Sequence, residues 1–145
     1  MSHKIKAYGV CLYKKTSHNI QILLCKSVQS QERWGFLKGC AIDGETKEET
    51  AIREFFEESS IFVEEDDLEQ YFEQENELKD IGIYLVNSSK IKNLDKCFAN
   101  NKLHHHCLSW ENSKVEFFNI NTIPKIKKKQ YKIMDKVIDY LTRKN

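Results

Sequence analysis

The chain has 145 residues, 40% of them hydrophobic and 31% charged, with a formal net charge of +1 and five cysteines. That length suits one ordinary domain with a real core, so a single domain over residues 1–145 is expected. No apolar run approaches the roughly eighteen residues of a membrane span, the opening MSHKIKAYGV lacks a secretory hydrophobic region, and the odd cysteine count without a Cys-x-x-Cys pair argues against a disulfide framework or a cysteine-rich zinc site. A cytoplasmic protein with reduced thiols and no membrane attachment is the expectation.

In chain order, KIKAYGVCLYK (4–14) and IQILLCKSV (20–28) are rich in β-branched and aromatic residues and flank a polar KTSHN, which predicts a hairpin. Asp43-Gly44 predicts a tight turn, and Thr46 followed by Glu49 predicts a capping box with a helix from about Lys47. Within that helix Ala51, Ile52, Phe55 and Phe56 recur at helical spacing and predict an apolar face opposite Glu54, Glu57 and Glu58. After an acidic connection, 80–88 and 114–120 read as strands. The polar stretch 89–112 between them has no clear period, so a long functional or mobile loop is expected. Beyond Pro124, Ile126, Ile133, Val137 and Leu141 share one helical face while Lys127, Lys128, Lys129, Lys132 and Lys136 lie mainly elsewhere, predicting a basic amphipathic helix. Strands on both sides of a central helix, with a terminal helix, suggest a mixed α/β sandwich.

The central helix breaks a local rule. Glu54 stands three and four residues from Glu57 and Glu58, and each like-charge pair opposes the helix by about 0.2–0.5 kcal/mol. Glu57 and Glu58 also fall in the last turn, where the helix dipole disfavours an acid by about 0.3–1 kcal/mol. Something outside the helix must compensate, and a divalent cation would do so: carboxylate oxygens are hard ligands suited to Mg²⁺ or Mn²⁺. A solvated acidic surface is the alternative. The charge distribution leaves the same choice open, with sixteen acids against three Lys or Arg over 43–80, and thirteen Lys or Arg against five acids from residue 81 onward. An acidic metal site facing basic phosphate-attracting residues would give this pattern, as would two solvated surfaces.

The stretch GCAIDGETKEETAIREFFEESSI (39–61) reads Gly39, five residues, Glu45, seven residues, then Arg53-Glu54-Phe55-Phe56-Glu57-Glu58-Ser59-Ser60-Ile61. It resembles the signature of the Nudix hydrolase family at every position except Ser60, where the family has glycine. The resemblance implies a Nudix-type α/β/α sandwich with a mixed β-sheet and a catalytic loop–helix–loop. It implies that Glu54, Glu57 and Glu58, with the Gly39 carbonyl, hold Mg²⁺ or Mn²⁺, and that Arg53 and Glu45 brace them, Glu45 in a structural role. The implied reaction is attack of water on a diphosphate linkage in a nucleoside diphosphate joined to another group. At Ser60 a left-handed conformation is expected to cost a non-glycine residue about 1 kcal/mol.

RWGFLKG (33–39) is similar to the WGFPKG of family members that act on dinucleoside polyphosphates or RNA 5′ ends, with Leu37 in place of proline. A dinucleoside polyphosphate or 5′-triphosphorylated RNA is therefore the expected substrate, with ADP-ribose, a nucleoside triphosphate or a nucleotide-sensing role as alternatives. Lys38 would contact a phosphate, and Trp34 would either pack the loop or stack on a base. Hydrolysis also needs a proton acceptor, for which SWENSKVEFF offers Glu111 and Glu116. Alternation turns Glu116 away from the face of Val115 and Phe117, while Glu111 lies in the stretch before the strand, six residues ahead of Phe117, a spacing similar to that of RNA pyrophosphohydrolases of the family, so the resemblance implies Glu111 as the catalytic base. The run HHHC (104–107) reads as a polar loop, since adjacent residues seldom converge on one metal.

Overall fold

The computed structural model describes residues 4–29 and 32–143, so the ends of the expected 1–145 domain lie outside the described residues. The fold is built around β1 (Ile5–Lys15), which runs parallel to β5 (Lys79–Asn87) from Ile5 opposite Lys79 to Tyr13 opposite Asn87. Its other edge is divided. The first half pairs antiparallel with β3 (Leu37–Cys40), and the second half with β2 (Ile20–Ser27). The sheet continues from β5 to β4 (Gln70–Gln74), and from β2 through β8 (Asn112–Asn119) to the two-residue strands β7 (Lys102–Leu103) and β6 (Phe98–Ala99).

Both faces of this mixed sheet are covered, which explains why β1 is buried from Ala7 to Tyr13 without a polar break. Val10 and Leu12 face a core layer with Leu23, Leu37 and Phe55, while Cys11 and Tyr13 face a second layer with Ile22, Ile83 and Val137. The first layer packs under α1 (Lys47–Ser59), the second under α2 (Tyr131–Arg143), giving the expected α/β/α sandwich. None of the described helices is long and apolar enough to cross a membrane.

Helix α1 starts as its sequence predicts. The Thr46 hydroxyl accepts the Glu49 N–H at 3.1 Å, and the Glu49 carboxylate accepts the Thr46 N–H at 2.9 Å. Just before it, Gly44 takes the positive φ of 91° that the turn requires. The helix ends at Ser60, whose φ of 65° is left-handed, as expected of the position where a glycine is usual. The Ser60 N–H caps the Phe56 carbonyl at 2.7 Å, and its hydroxyl donates to the Cys107 carbonyl at 3.2 Å, which offsets part of the conformational cost.

Several sequence expectations need correction. Phe56 is 49% exposed rather than on the buried face of α1; the buried stripe is Ala51, Phe55, Glu58 and Ser59, spaced i, i+4, i+7 and i+8, so Glu58 joins the core side. The stretch 89–112 is not one irregular loop. It holds short 3₁₀ turns and the β6–β7 hairpin, anchored by buried Leu94 and Leu103, and elements this short leave no period to read. Ile126 and Lys127–Lys129 precede α2 instead of belonging to it; Ile126 is buried in the α2-side core layer, and its segment pairs by backbone with Trp34. Strands β3 and β4 carry too few residues for alternation to reveal them.

Candidate active site

The acidic face of α1 lies beside the end of β3, and one contact ties the two together. A Cβ added to Gly39 would stand 2.0 Å from the carboxyl carbon of Glu54, so the bare Gly39 backbone forms a cradle that the Glu54 carboxylate fills. Glu54 is mostly buried, and its pKa is raised by desolvation against the opposing pull of Arg53.

Arg53 organises the surrounding carboxylates. Its Nε and Nη2 donate to the two oxygens of Glu45 at 2.6 and 3.0 Å, its Nη1 to Glu54 at 2.8 Å and Glu57 at 3.3 Å, and its Nη2 also to the Cys40 carbonyl at 3.1 Å. Glu45 further accepts the Thr50 hydroxyl at 2.8 Å and the Ile42 N–H at 3.2 Å. The Arg53 hydrogen bonds, aided by those of Thr50 and Ile42, hold the Glu45 carboxyl down at about 2. Such a fork fixes the loop before the helix to the helix itself.

Glu58 occupies the opposite environment. It is 8% exposed, with Asn112 Nδ2 at 3.2 Å and the Cys25 thiol at 3.9 Å. Burial pushes its carboxyl up to about 8, Glu54 and Glu111 adding to the rise while Asn112 and Lys38 oppose it. Glu57 is the outermost of the three, with 54% of its side chain exposed.

Glu111, more than fifty residues away in sequence, is brought within electrostatic range of both Glu54 and Glu58. Its carbonyl accepts the Val28 N–H at 2.9 Å, which pins the segment across the end of β2. Glu116 stays within β8, opposite Leu24 and Lys102 and on the other side from buried Val115 and Phe117. Lys38 follows Leu37 in β3 and is half-buried; desolvation lowers its pKa first, then repulsion from Lys79 and Lys127, while Glu58 acts in the other direction. Trp34 is packed in the α2-side core at 9% exposure, edge-on to Phe118 at 4.6 Å, so of its two expected roles the structure gives it the packing one. His104 and His106 stack on each other at 5.6 Å.

Sequence reasoning did not single out Asn112 and Cys25, which contact Glu58, or Lys79, which approaches Lys38. Nothing local marks the first two. Nor does anything local mark Lys79, which lies at the end of the acidic segment 43–80.

The Nudix domain model matches residues 3–141. The chain belongs to the Nudix family. As a member of it, this protein is a hydrolase of phosphoric anhydrides. Among solved structures, a C. elegans Ap4A hydrolase binary complex is 24% identical over 95% of this chain and 98% of that one, with a TM-score of 0.67. The NUDIX domain of Shewanella oneidensis NrtR, complexed with ADP ribose, is 12% identical over 97% of this chain and 90% of that one, with a TM-score of 0.66. The M. smegmatis Nudix hydrolase RenU is 10% identical over 96% of this chain and 87% of that one, with a TM-score of 0.70. These likenesses concern the fold. No curated protein matches the chain at a significant level.

The oxygen-only donor set and the Gly39–Glu54 cradle fit a hard divalent cation. Among the described residues no three His, Cys, Asp or Glu side chains already converge as a metal-holding group. Arg53 Nη1 instead lies between Glu54 and Glu57, supplying the neutralising charge.

Proposed function

We propose that this Nudix protein is a Mg²⁺- or Mn²⁺-dependent hydrolase that cleaves a phosphoanhydride in a nucleoside polyphosphate, a dinucleoside polyphosphate or 5′-triphosphorylated RNA. The observation that carries the reading is the Glu54 carboxylate packed against the bare Gly39 backbone and tied through Arg53 to Glu57 and Glu45. Glu54, Glu57, Glu58 and the Gly39 carbonyl would hold the ion. Loading requires the exposed Glu57 to turn from Arg53 toward its two neighbours, and Glu58 to give up its proton. When bound, the ion neutralises charge on the phosphates and acidifies water.

The chain's own groups supply the rest. Glu111, exposed and next to the carboxylates, takes the proton of the attacking water at its carboxylate as the oxygen bonds to phosphorus and the anhydride P–O bond breaks. Lys38, within electrostatic reach of Glu58, holds a phosphate oxygen. Arg53 and Glu45 keep the loop and helix in register, so that the carboxylates meet the substrate in one geometry. The polyphosphate reading is supported by the Lys38 environment and the RWGFLKG stretch. ADP-ribose is the second reading, favoured by the likeness to a domain complexed with that compound. Product release from a panel of dinucleoside polyphosphates, triphosphorylated RNA, nucleoside triphosphates and ADP-ribose, with and without Mg²⁺ or Mn²⁺, tests it. Metal-independent turnover, or none on any member, would reject the proposal.

A further inference from the structure

Outside the acidic site, the β6–β7 hairpin brings two of the five cysteines together. Its turn residues Asn100 and Asn101 have φ values of 53° and 67°, a left-handed pair that fixes a tight hairpin register, with Phe98 opposite Leu103 and Ala99 opposite Lys102. One step further along this ladder the Cys97 carbonyl accepts the His104 N–H at 2.9 Å, and the His104 carbonyl accepts the Cys107 N–H at 2.9 Å. Cys97 and Cys107 are thus bonded to the same backbone residue, and both pack, partly buried, against the α1-side core layer. Burial raises the Cys97 thiol, and the nearby charge of Cys107 adds to the rise. Of the other cysteines, Cys11 and Cys25 are buried within β1 and β2, and Cys40 is exposed at the end of β3.

The segment after Cys107 is lightly held. Trp110 is 86% exposed, the Ser109 hydroxyl is buried without a hydrogen-bond partner, and the backbone is fastened by the Leu108 N–H to His105, the Asn112 N–H to Ser109 and the Val28 N–H to Glu111. Cys107 itself is tied to the end of α1, since its carbonyl accepts the hydroxyl of the left-handed Ser60 at 3.2 Å. A constraint placed on Cys107 therefore reaches both the end of α1 and the segment that carries Glu111.

We propose that Cys97 and Cys107 are a reversible modification site: hydrogen peroxide joins them in a disulfide that staples the Glu111 segment to the β6–β7 hairpin and slows turnover. The Cys107 thiolate attacks one peroxide oxygen and the O–O bond breaks, leaving a sulfenic acid and hydroxide. The Cys97 thiolate then attacks the sulfenic sulfur; the S–S bond forms, the S–O bond breaks and a second hydroxide leaves. Both hydroxides take up the thiol protons as water, and the two electrons lost by the sulfurs are those gained by peroxide. Cys97, whose thiol is held up by burial, suits the second step. Closing the bond draws Cys107 toward the hairpin, and the Ser60 contact and the Glu111 segment move with it. The bond itself does not depend on the hydrolase reading above; its effect on turnover rests on that reading.

The first test needs no turnover. Wild type and Cys40→Ser, which lacks the exposed thiol and so avoids cross-links between molecules, are treated with hydrogen peroxide and mapped by mass spectrometry. A peptide joining Cys97 to Cys107, lighter by two hydrogens and split by dithiothreitol, is expected. Sulfinic acid on either cysteine without the joined peptide, or joining only through Cys40, would overturn the proposal. In EDTA the joined protein should melt about 5–10 °C above the reduced one, because the bond closes the loop 97–107 in the unfolded chain, and Cys97→Ser and Cys107→Ser should show no such rise. An unchanged melting temperature in the joined protein would rule out a staple. In the second test kcat is expected to fall at least about tenfold on oxidation and to recover in dithiothreitol, while Cys97→Ser/Cys107→Ser keeps its rate through the peroxide treatment. Unchanged turnover of the joined protein, or an equal fall in the double variant, would overturn the link to Glu111. Absence of hydrolysis before and after oxidation would instead remove the hydrolase reading, and the mapping would still decide whether the pair joins.

Discussion

Gly39 and Glu54 are packed so closely that a methyl group on the one would lie 2.0 Å from the carboxyl of the other. The φ of Gly39 is not among the positive ones, so alanine there is blocked by the Glu54 side chain and not by its own backbone. Gly39→Ala is expected to cost about 1–3 kcal/mol, as overpacking does, and to abolish turnover by displacing the carboxylate. In a Glu54→Ala background the same substitution should cost far less stability. Denaturant unfolding of the four proteins measures the coupling, and additivity within about 0.5 kcal/mol would show that the two residues do not meet.

Glu57 is the ligand candidate least tied to the fold. Its only described ion pair, with Arg53 at 3.3 Å, is exposed, and a pair of that kind contributes about 0.3–0.5 kcal/mol, which the unfavourable helix-end position offsets. Glu57→Gln should therefore melt in EDTA within a few degrees of the wild type while its turnover falls about a hundredfold. Mg²⁺ should raise the wild-type melting temperature by mass action and leave a Glu54→Gln/Glu57→Gln/Glu58→Gln protein unmoved. A large drop in stability of the single variant in EDTA would make Glu57 a structural residue.

Glu58 sets a pH dependence whose sign is opposite to that of a salt-bridged acid. Its folded carboxyl is pushed up to about 8 from an ordinary value of 4.5, so between those two pH values the folded protein binds the extra proton. Its contribution is fully present below the unfolded pKa and is lost as pH rises toward 8. Metal-free wild type should lose stability across that window relative to Glu58→Gln, and the stabilisation by Mg²⁺ should grow from pH 6 to pH 8 because loading releases the proton. Melting curves of both proteins at pH 5, 6.5 and 8 check this; parallel pH profiles would contradict the buried-acid description.

For the proton acceptor, Glu111→Gln is expected to lower kcat at least about tenfold with little change in KM, whereas Glu116→Gln, altering a group held within β8, should have a lesser effect. Kinetics at saturating Mg²⁺ decide between them, and wild-type turnover in Glu111→Gln would end that assignment.

What the sequence determined by itself is what neighbouring residues settle among themselves. The capping box of Thr46 and Glu49, the left-handed stop at Ser60, and the shared side of Glu54 and Glu57 follow from helix geometry over three or four residues. The hairpin of β1 and β2 follows likewise from strand propensity and the turn between them. Tertiary structure alone decided which acid is buried: Glu58 differs from Glu57 by one position, yet that position meets Cys25 and Asn112 of other strands and becomes a weak acid. It also decided that Trp34 is core, that Glu111 stands beside α1, and that Lys38, Lys79 and Lys127 gather around one cavity. Backbone periodicity is a local property, legible wherever an element is long enough to repeat it, whereas burial and Coulomb interaction depend on which distant segments the sheet brings side by side.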